Sequence, residues 1–154
     1  MAIEKVIEYF ESLGCVHKIK QFEVSSATVE LAAQALHCEG ARIAKTLSFL
    51  VDDGAVLIVT AGDMKIDNPK FKAFFHTKAK MLSPEQVDEL VGHSIGGVCP
   101  FAVNDGCRVY LDESLKRFDI VYPAAGNAAS AIELTPDELE RYSGALGWID
   151  VCKS

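Results

Sequence analysis

The sequence predicts an α/β protein of the α+β type, with a mixed, largely antiparallel sheet and packed helices. Three observations carry this. Asp52-Asp53-Gly54 separates the β-rich runs Lys45 to Val51 and Ala55 to Ala61, and an acid-glycine turn between such runs signals a hairpin. The second run is apolar on both faces, as in a central strand covered on both sides rather than one in a half-exposed β-sandwich. Hairpin signals then alternate irregularly with helical ones, and no G-x-G-x-x-G or P-loop argues for a doubly wound parallel sheet. At 154 residues the chain reads as one domain, 1–154.

Ile3, Val6, Ile7, Phe10 and Leu13 recur at helical spacing ahead of Gly14, so residues 2 to 13 are expected to form an amphipathic helix closed by that glycine. A short strand is expected near His17 to Phe22. Thr28 is placed to cap a helix over Val29 to Leu36, which delivers the chain to Arg42-Ile43-Ala44-Lys45 and the hairpin. Asn68 and Ser83 precede Pro69 and Pro84 as capping residues of two short helices, with Ser83 and Gln86 spaced as a capping box. A second hairpin is expected across Asn104-Asp105-Gly106, from Phe101-Ala102-Val103 to Arg108 to Leu111. Strands near Ile120 to Tyr122 and Ala131 to Leu134 follow. Thr135, Pro136 and Glu138 open a last helix, and Trp148 to Val151 is expected as an edge strand.

Composition excludes several classes. Hydrophobic residues make up 49% and charged residues 24%, which is globular rather than disordered. The start lacks a basic segment followed by an apolar core, and no apolar run is long enough to span a bilayer, so a cytoplasmic protein without a membrane partner is expected. Cys15, Cys38, Cys99, Cys107 and Cys152 form an odd set without C-x-x-C, which predicts reduced thiols. His93, Cys99 and Cys107 match no standard ligand spacing, and neither a metal nor another cofactor is predicted. A net charge of −7 argues against a general nucleic-acid coat. One stretch runs the other way: Lys65, Lys70, Lys72, Lys78 and Lys80 accompany the single acid Asp67, with Phe71, Phe74, Phe75 and His76 interleaved. It is either a solvated helix face with its phenylalanines turned inward or a local nucleic-acid contact.

Two places attract functional attention. Strict alternation puts Lys45 on the face of Leu47, Phe49 and Val51, where an ammonium must either snorkel past the strand end or be held by something the protein binds. Gly96, Gly97 and Pro100 frame a loop whose Gly97 and Val98 amides can face a cavity as an oxyanion hole, the alternative being a plain turn. Cys99 lies in this loop, with no histidine marked by its position as an activating base; Ser48 sits in a strand, and no G-x-S-x-G elbow exists.

Ala41-Arg42-Ile43-Ala44-Lys45-Thr46-Leu47, then Gly62-Asp63 with Lys65-Ile66-Asp67, then Gly96 to Pro100 as G-x-x-x-P resemble the YbaK/ProX family of aminoacyl-tRNA deacylases over nearly the whole chain. That family is related to the editing domain of bacterial prolyl-tRNA synthetases and hydrolyses mischarged tRNA. The resemblance implies a YbaK/ProRS editing-domain-like fold and deacylation of Cys- or Ala-tRNA(Pro) in trans. It implies as partners the tRNA acceptor end and, as an option, an aminoacyl-tRNA synthetase. It assigns catalysis to Lys45, which would hold the phosphate or ribose of the terminal adenosine, and to the amides of Gly96, Gly97 and Val98, with water attacking and the ribose hydroxyl or the substrate assisting. Thr46, Cys99 and Pro100 would contact substrate. Family members often carry a histidine or aspartate in the segment corresponding to 125–131, where this chain offers only the polar side chains of Asn127 and Ser130. Two rivals remain: a non-catalytic tRNA-binding module of the same fold, and a thiol enzyme built on Cys99.

Overall fold

The computed structural model describes residues 2–94 and 96–153. Helix α1 (Ala2–Ser12) buries Ile3, Val6 and Phe10 and ends at Gly14, which sits at φ +75° while its N–H bonds the Glu11 carbonyl. Strand β1 (Ile19–Gln21) leads to α2 (Val29–Leu36), whose first turn is capped by Thr28 Oγ1 accepting from the Leu31 N–H at 3.1 Å. Strands β2 (Ile43–Val51) and β3 (Gly54–Ala61) form the expected hairpin. Asp52 and Asp53 both take positive φ, the condition for a turn whose twist matches the strands. Helix α3 (Asn68–Phe75) is capped by Asp67, which accepts from the Lys70 N–H; Asn68, expected as the cap, is already helical. A capping box between Ser83 and Gln86 opens α4 (Pro84–Gln86), which continues into a π-helical turn, Val87–Val91. After β4 (Arg108–Asp112), β5 (Tyr122–Pro123) and β6 (Ser130–Ile132), Thr135 and Glu138 cap α5 (Pro136–Ser143), and β7 (Trp148–Ile149) follows.

The main sheet runs β5-β2-β3-β4-β7, and β1 pairs with β6 in a separate antiparallel ribbon. The sheet is mixed: β2 and β3 are antiparallel, whereas β5, β4 and β7 join in parallel. The hairpin expected across Asn104-Asp105-Gly106 does not form. Phe101 is fully buried and packs edge-to-face on Phe10 at 5.0 Å, so its segment gives a side chain to the core instead of a ladder to the sheet. Asn104 folds back to bond the Val91 and Glu89 carbonyls, and β4 pairs with β3.

Central β3 explains the two-sided apolar run. Ala55, Leu57, Val59 and Ala61 enter one core with Phe10, Phe101 and Leu139, while Val56 and Ile58 enter another with Phe49, Phe71 and Ile149. Burial of each such large side chain contributes about 1.5–3 kcal/mol. Helix α3 turns Phe71 and Phe75 into the second core, as a solvated helix face requires, yet leaves Phe74, Lys72 and the following Lys78 and Lys80 exposed. Among the described residues all five cysteines are free, and no helix is long and apolar enough to cross a membrane.

Candidate active site

Strand β2 is paired along one edge with β3 throughout, but along the other only near its ends. Strand β5 covers Ile43 and Ala44. Residues 80–82 cover the far end, where the Leu82 N–H bonds the Ser48 carbonyl at 3.2 Å and the Leu50 N–H bonds the Lys80 carbonyl at 2.8 Å. Backbone groups of successive residues turn to alternate edges, so those of Ala44, Thr46, Ser48 and Leu50 face this side, and Thr46 falls in the gap. A cleft of about 230 Å³ opens there. Thr46 and Ser48 form its floor, Met81 and Leu82 one wall, Tyr122 and Ser130 the other, with Thr28 and Val29 at the start of α2 and Gly96 and Val98 closing it. The Thr46 Oγ1 is buried without a hydrogen-bond partner among the described residues, an unmet need that ordinarily costs about 1–3 kcal/mol.

The glycine loop meets this cleft, though not as the sequence suggested. Gly96 takes φ +94° and packs against the loop carrying Ala128. The Gly97 N–H is already donated to the Ser94 carbonyl at 3.1 Å, so it is not free to serve an oxyanion. A Cβ on Gly97 would meet Asn127 backbone, at 2.6 Å from its nitrogen and 2.8 Å from its carbonyl carbon. This glycine therefore permits close approach of two loops, and a side chain there collides with main chain rather than filling the cleft. The Gly96 and Val98 N–H groups have no hydrogen-bond partner among the described residues, and both residues line the cleft, so they are the loop donors left there; Val98, whose φ is not constrained to the left-handed region, is the candidate oxyanion donor.

Lys45 borders the cleft, but its Nζ donates to the Met64 carbonyl beyond β3. By alternation its side chain shares a face with Phe49 and Val51, opposite Thr46 and Ser48. The ammonium thus has a backbone partner in the protein itself, past the edge of its own strand, without a ligand being needed to hold it. Cys99 and Pro100 are buried and are not among the residues that line the cleft. The Cys99 thiol lies in the core, 3.5 Å from His93 Nε2. Burial pushes this thiol up to about 12, with the Phe101 carbonyl and Lys5 countering. His93 is likewise fully buried, and burial holds its imidazole below the ordinary value. The structure supplies the histidine that sequence position did not, but both groups stay neutral at neutral pH, which removes a thiolate nucleophile. Among the described residues no group of three or more His, Cys, Asp or Glu side chains is placed to hold a metal ion.

Asn127 and Ser130 shape the opposite loop. Asn127 Oδ1 accepts from the Ala129 N–H at 2.9 Å, and only its backbone meets Gly97. Ser130 does line the cleft, with its Oγ accepting from the Ala125 N–H at 3.1 Å. Sequence reasoning missed Ser48, Met81 and Tyr122. Each is an ordinary strand or loop residue by pattern, and only the interrupted sheet edge makes it a wall. The Tyr122 hydroxyl donates to Glu133 at 3.2 Å, and burial, then the carboxylate, raises its pKa.

A family model described as an aminoacyl-tRNA editing domain matches residues 23–142. The chain is 51% identical over 154 residues to the uncharacterized protein YwhH of Bacillus subtilis (strain 168), spanning 99% of this chain and 98% of YwhH. It is 33% identical over 100 residues to the proline--tRNA ligase of Leuconostoc citreum (strain KM20), covering 64% of this chain but 17% of the ligase. Among solved structures, a candidate trans-editing enzyme for prolyl tRNA synthetase superposes with a TM-score of 0.89 at 32% identity, covering 99% of this chain and 98% of that one.

Proposed function

Because the chain belongs to the aminoacyl-tRNA editing domain family, we infer that it hydrolyses mischarged aminoacyl-tRNA in trans, with Cys- or Ala-tRNA(Pro) as its substrates and the cytoplasm as its place of action. The observation that carries this reading is the cleft at the broken edge of β2, a space of about 230 Å³ lined by Thr46 on the unpaired stretch of the strand and by Gly96 and Val98 of the glycine loop. That volume lies below the range of about 300–1,000 Å³ usual for drug-sized ligands, which suits a small aminoacyl group. Apart from Lys45, whose ammonium is held by the Met64 carbonyl, its lining is hydroxyls, among them that of Tyr122, and small or medium apolar side chains, so a small uncharged amino acid fits better than a charged one.

In this reading the ester carbonyl lies against the Val98 N–H, which stabilises the charge developing on oxygen. Water adds to the carbonyl carbon, the bond to the ribose oxygen breaks, and that oxygen takes up the proton, releasing free amino acid and tRNA. The buried Cys99 takes no part. For Lys45 to hold a phosphate or ribose of the terminal adenosine, its ammonium exchanges the Met64 carbonyl for the ligand, which its flexible stem permits. The exposed Lys72, Lys78 and Lys80 lead along the chain to Met81 at the cleft, a small basic footprint on an acidic protein that suits contact with the acceptor end alone.

Incubation with pre-formed Ala-, Cys- and Ser-tRNA(Pro), with Pro-tRNA(Pro) as control, tests the proposal. Release of alanine or cysteine with Pro-tRNA(Pro) left intact is expected. Tight binding of every species without hydrolysis would instead establish a non-catalytic binding module.

A further inference from the structure

We propose that His93 is a positioning residue that clasps the neck of the glycine loop and so fixes the Val98 amide at the cleft, an inference that rests on the hydrolase reading above. The loop leaves the π-helical turn at Val91 and returns at Phe101 to Asn104. Two hydrogen bonds close its neck: the Asn104 N–H to the Val91 carbonyl at 2.9 Å, and His93 Nε2 to the Phe101 carbonyl at 2.8 Å. A carbonyl only accepts, so Nε2 carries the hydrogen and donates it. Cys99 closes against the same pair, its Sγ 3.5 Å from Nε2. Phe101 is in turn held by Phe10 of α1, which ties the clasp to the main core.

Packing alone does not account for a histidine here. Its Nδ1 is buried with no partner among the described residues, a penalty that an apolar residue of similar size would avoid. The gain lies in the one bond Nε2 makes. Among the described residues, the loop between His93 and Phe101 is otherwise held at Gly97, whose N–H bonds the Ser94 carbonyl and which has no room for a Cβ beside the Asn127 backbone; the clasp is what joins its two ends. A donor that must lie within a few tenths of an ångström of a developing oxyanion needs a fixed frame, and the clasp supplies it.

The test compares His93→Leu, which fills the space without a donor, with His93→Gln, whose terminal amide nitrogen stands close to the place of Nε2. Turnover of the aminoacyl-tRNA that the wild-type protein hydrolyses is measured together with amide hydrogen exchange. His93→Leu is expected to lower kcat about tenfold or more, as misplacement near the chemistry does, with KM nearly unchanged. It should also speed exchange at Gly97 and Asn104, whose N–H groups are hydrogen-bonded in the loop and across its neck, while leaving β2 and β3 protected, and His93→Gln should restore both readouts. Wild-type kcat in His93→Leu overturns the proposal. So does equal impairment of His93→Gln, or faster exchange spread evenly into β2 and β3, which marks general destabilisation. Should His93→Leu fail to fold, His93→Asn, too short to reach the Phe101 carbonyl, replaces it. If the wild-type protein hydrolyses no aminoacyl-tRNA, the functional reading falls, while the exchange comparison still decides whether the clasp exists.

Discussion

Gly97→Ala is the smallest change that separates a loop in close contact from a loop facing open space. The added Cβ would lie 2.6 Å from the Asn127 nitrogen and 2.8 Å from its carbonyl carbon. Carbon contacts are comfortable from about 3.5 Å, so the two loops must part by about 1 Å. Neither side yields easily, because the obstructing atoms are main chain and Asn127 is fixed by its own bond to the Ala129 N–H. Overpacking of this kind costs about 1–3 kcal/mol. For a chain of this size that lowers Tm by about 2–4 °C per kcal/mol, hence by several degrees. Because the displaced loop carries Val98, turnover should fall by about a hundredfold, the usual result of a 1 Å misplacement near the chemistry. Gly147→Ala is the matched control, since a Cβ there meets nothing within 4 Å, and it should leave both readouts unchanged. Thermal unfolding and aminoacyl-tRNA hydrolysis on the two purified variants decide the matter. A Gly97→Ala protein with wild-type Tm and wild-type turnover would refute the close-contact argument.

The other perturbations act elsewhere. Lys45→Ala should lower stability by about 1 kcal/mol, not raise it, because the Met64 carbonyl loses its donor; a raised melting temperature would count against this, and unimpaired hydrolysis would remove Lys45 from the proposed site. Cys99→Ala should keep most activity, and Cys99 in the native protein should resist alkylation at neutral pH, because burial holds the thiol protonated at about 12; rapid modification with loss of turnover would restore the thiol reading. His93 has a folded pKa below its unfolded one, so the unfolded chain binds the extra proton first. Its contribution to stability is therefore complete above about pH 6.5 and is lost as pH falls below that value, and His93→Gln should flatten that part of a Tm-against-pH curve. Lys72→Glu with Lys78→Glu should weaken tRNA binding and reduce its salt dependence by about one to two counterions in slope while sparing thermal stability; unchanged affinity in filter binding would place the tRNA on another face.

What the sequence determined by itself is what short-range chemistry determines. Thr28, Ser83 and Thr135 cap the helices they were expected to cap, because a cap is a matter between a hydroxyl and a backbone N–H about three residues on. Asp52-Asp53-Gly54 turned β2 into β3 for the same reason, and the two-sided apolar run had only one place in a layered fold, at its centre. The family was legible because its short motifs survive in order along the chain. Tertiary structure decided the rest. Asn104-Asp105-Gly106 has the composition of a hairpin turn, yet Phe101 gains more by burial against Phe10 than its segment would by pairing as an edge strand. The cleft exists because β5 and residues 80–82 stop short of each other along β2, a gap between segments distant in sequence that no local pattern records. Local pattern also left unrecorded the partners of the two residues that first drew attention, although His93 stands only six residues before Cys99. Lys45 found the Met64 carbonyl and Cys99 found His93, because a side chain's surroundings are set by which segments the fold brings against it, whereas its own strand or loop fixes only the direction in which it points.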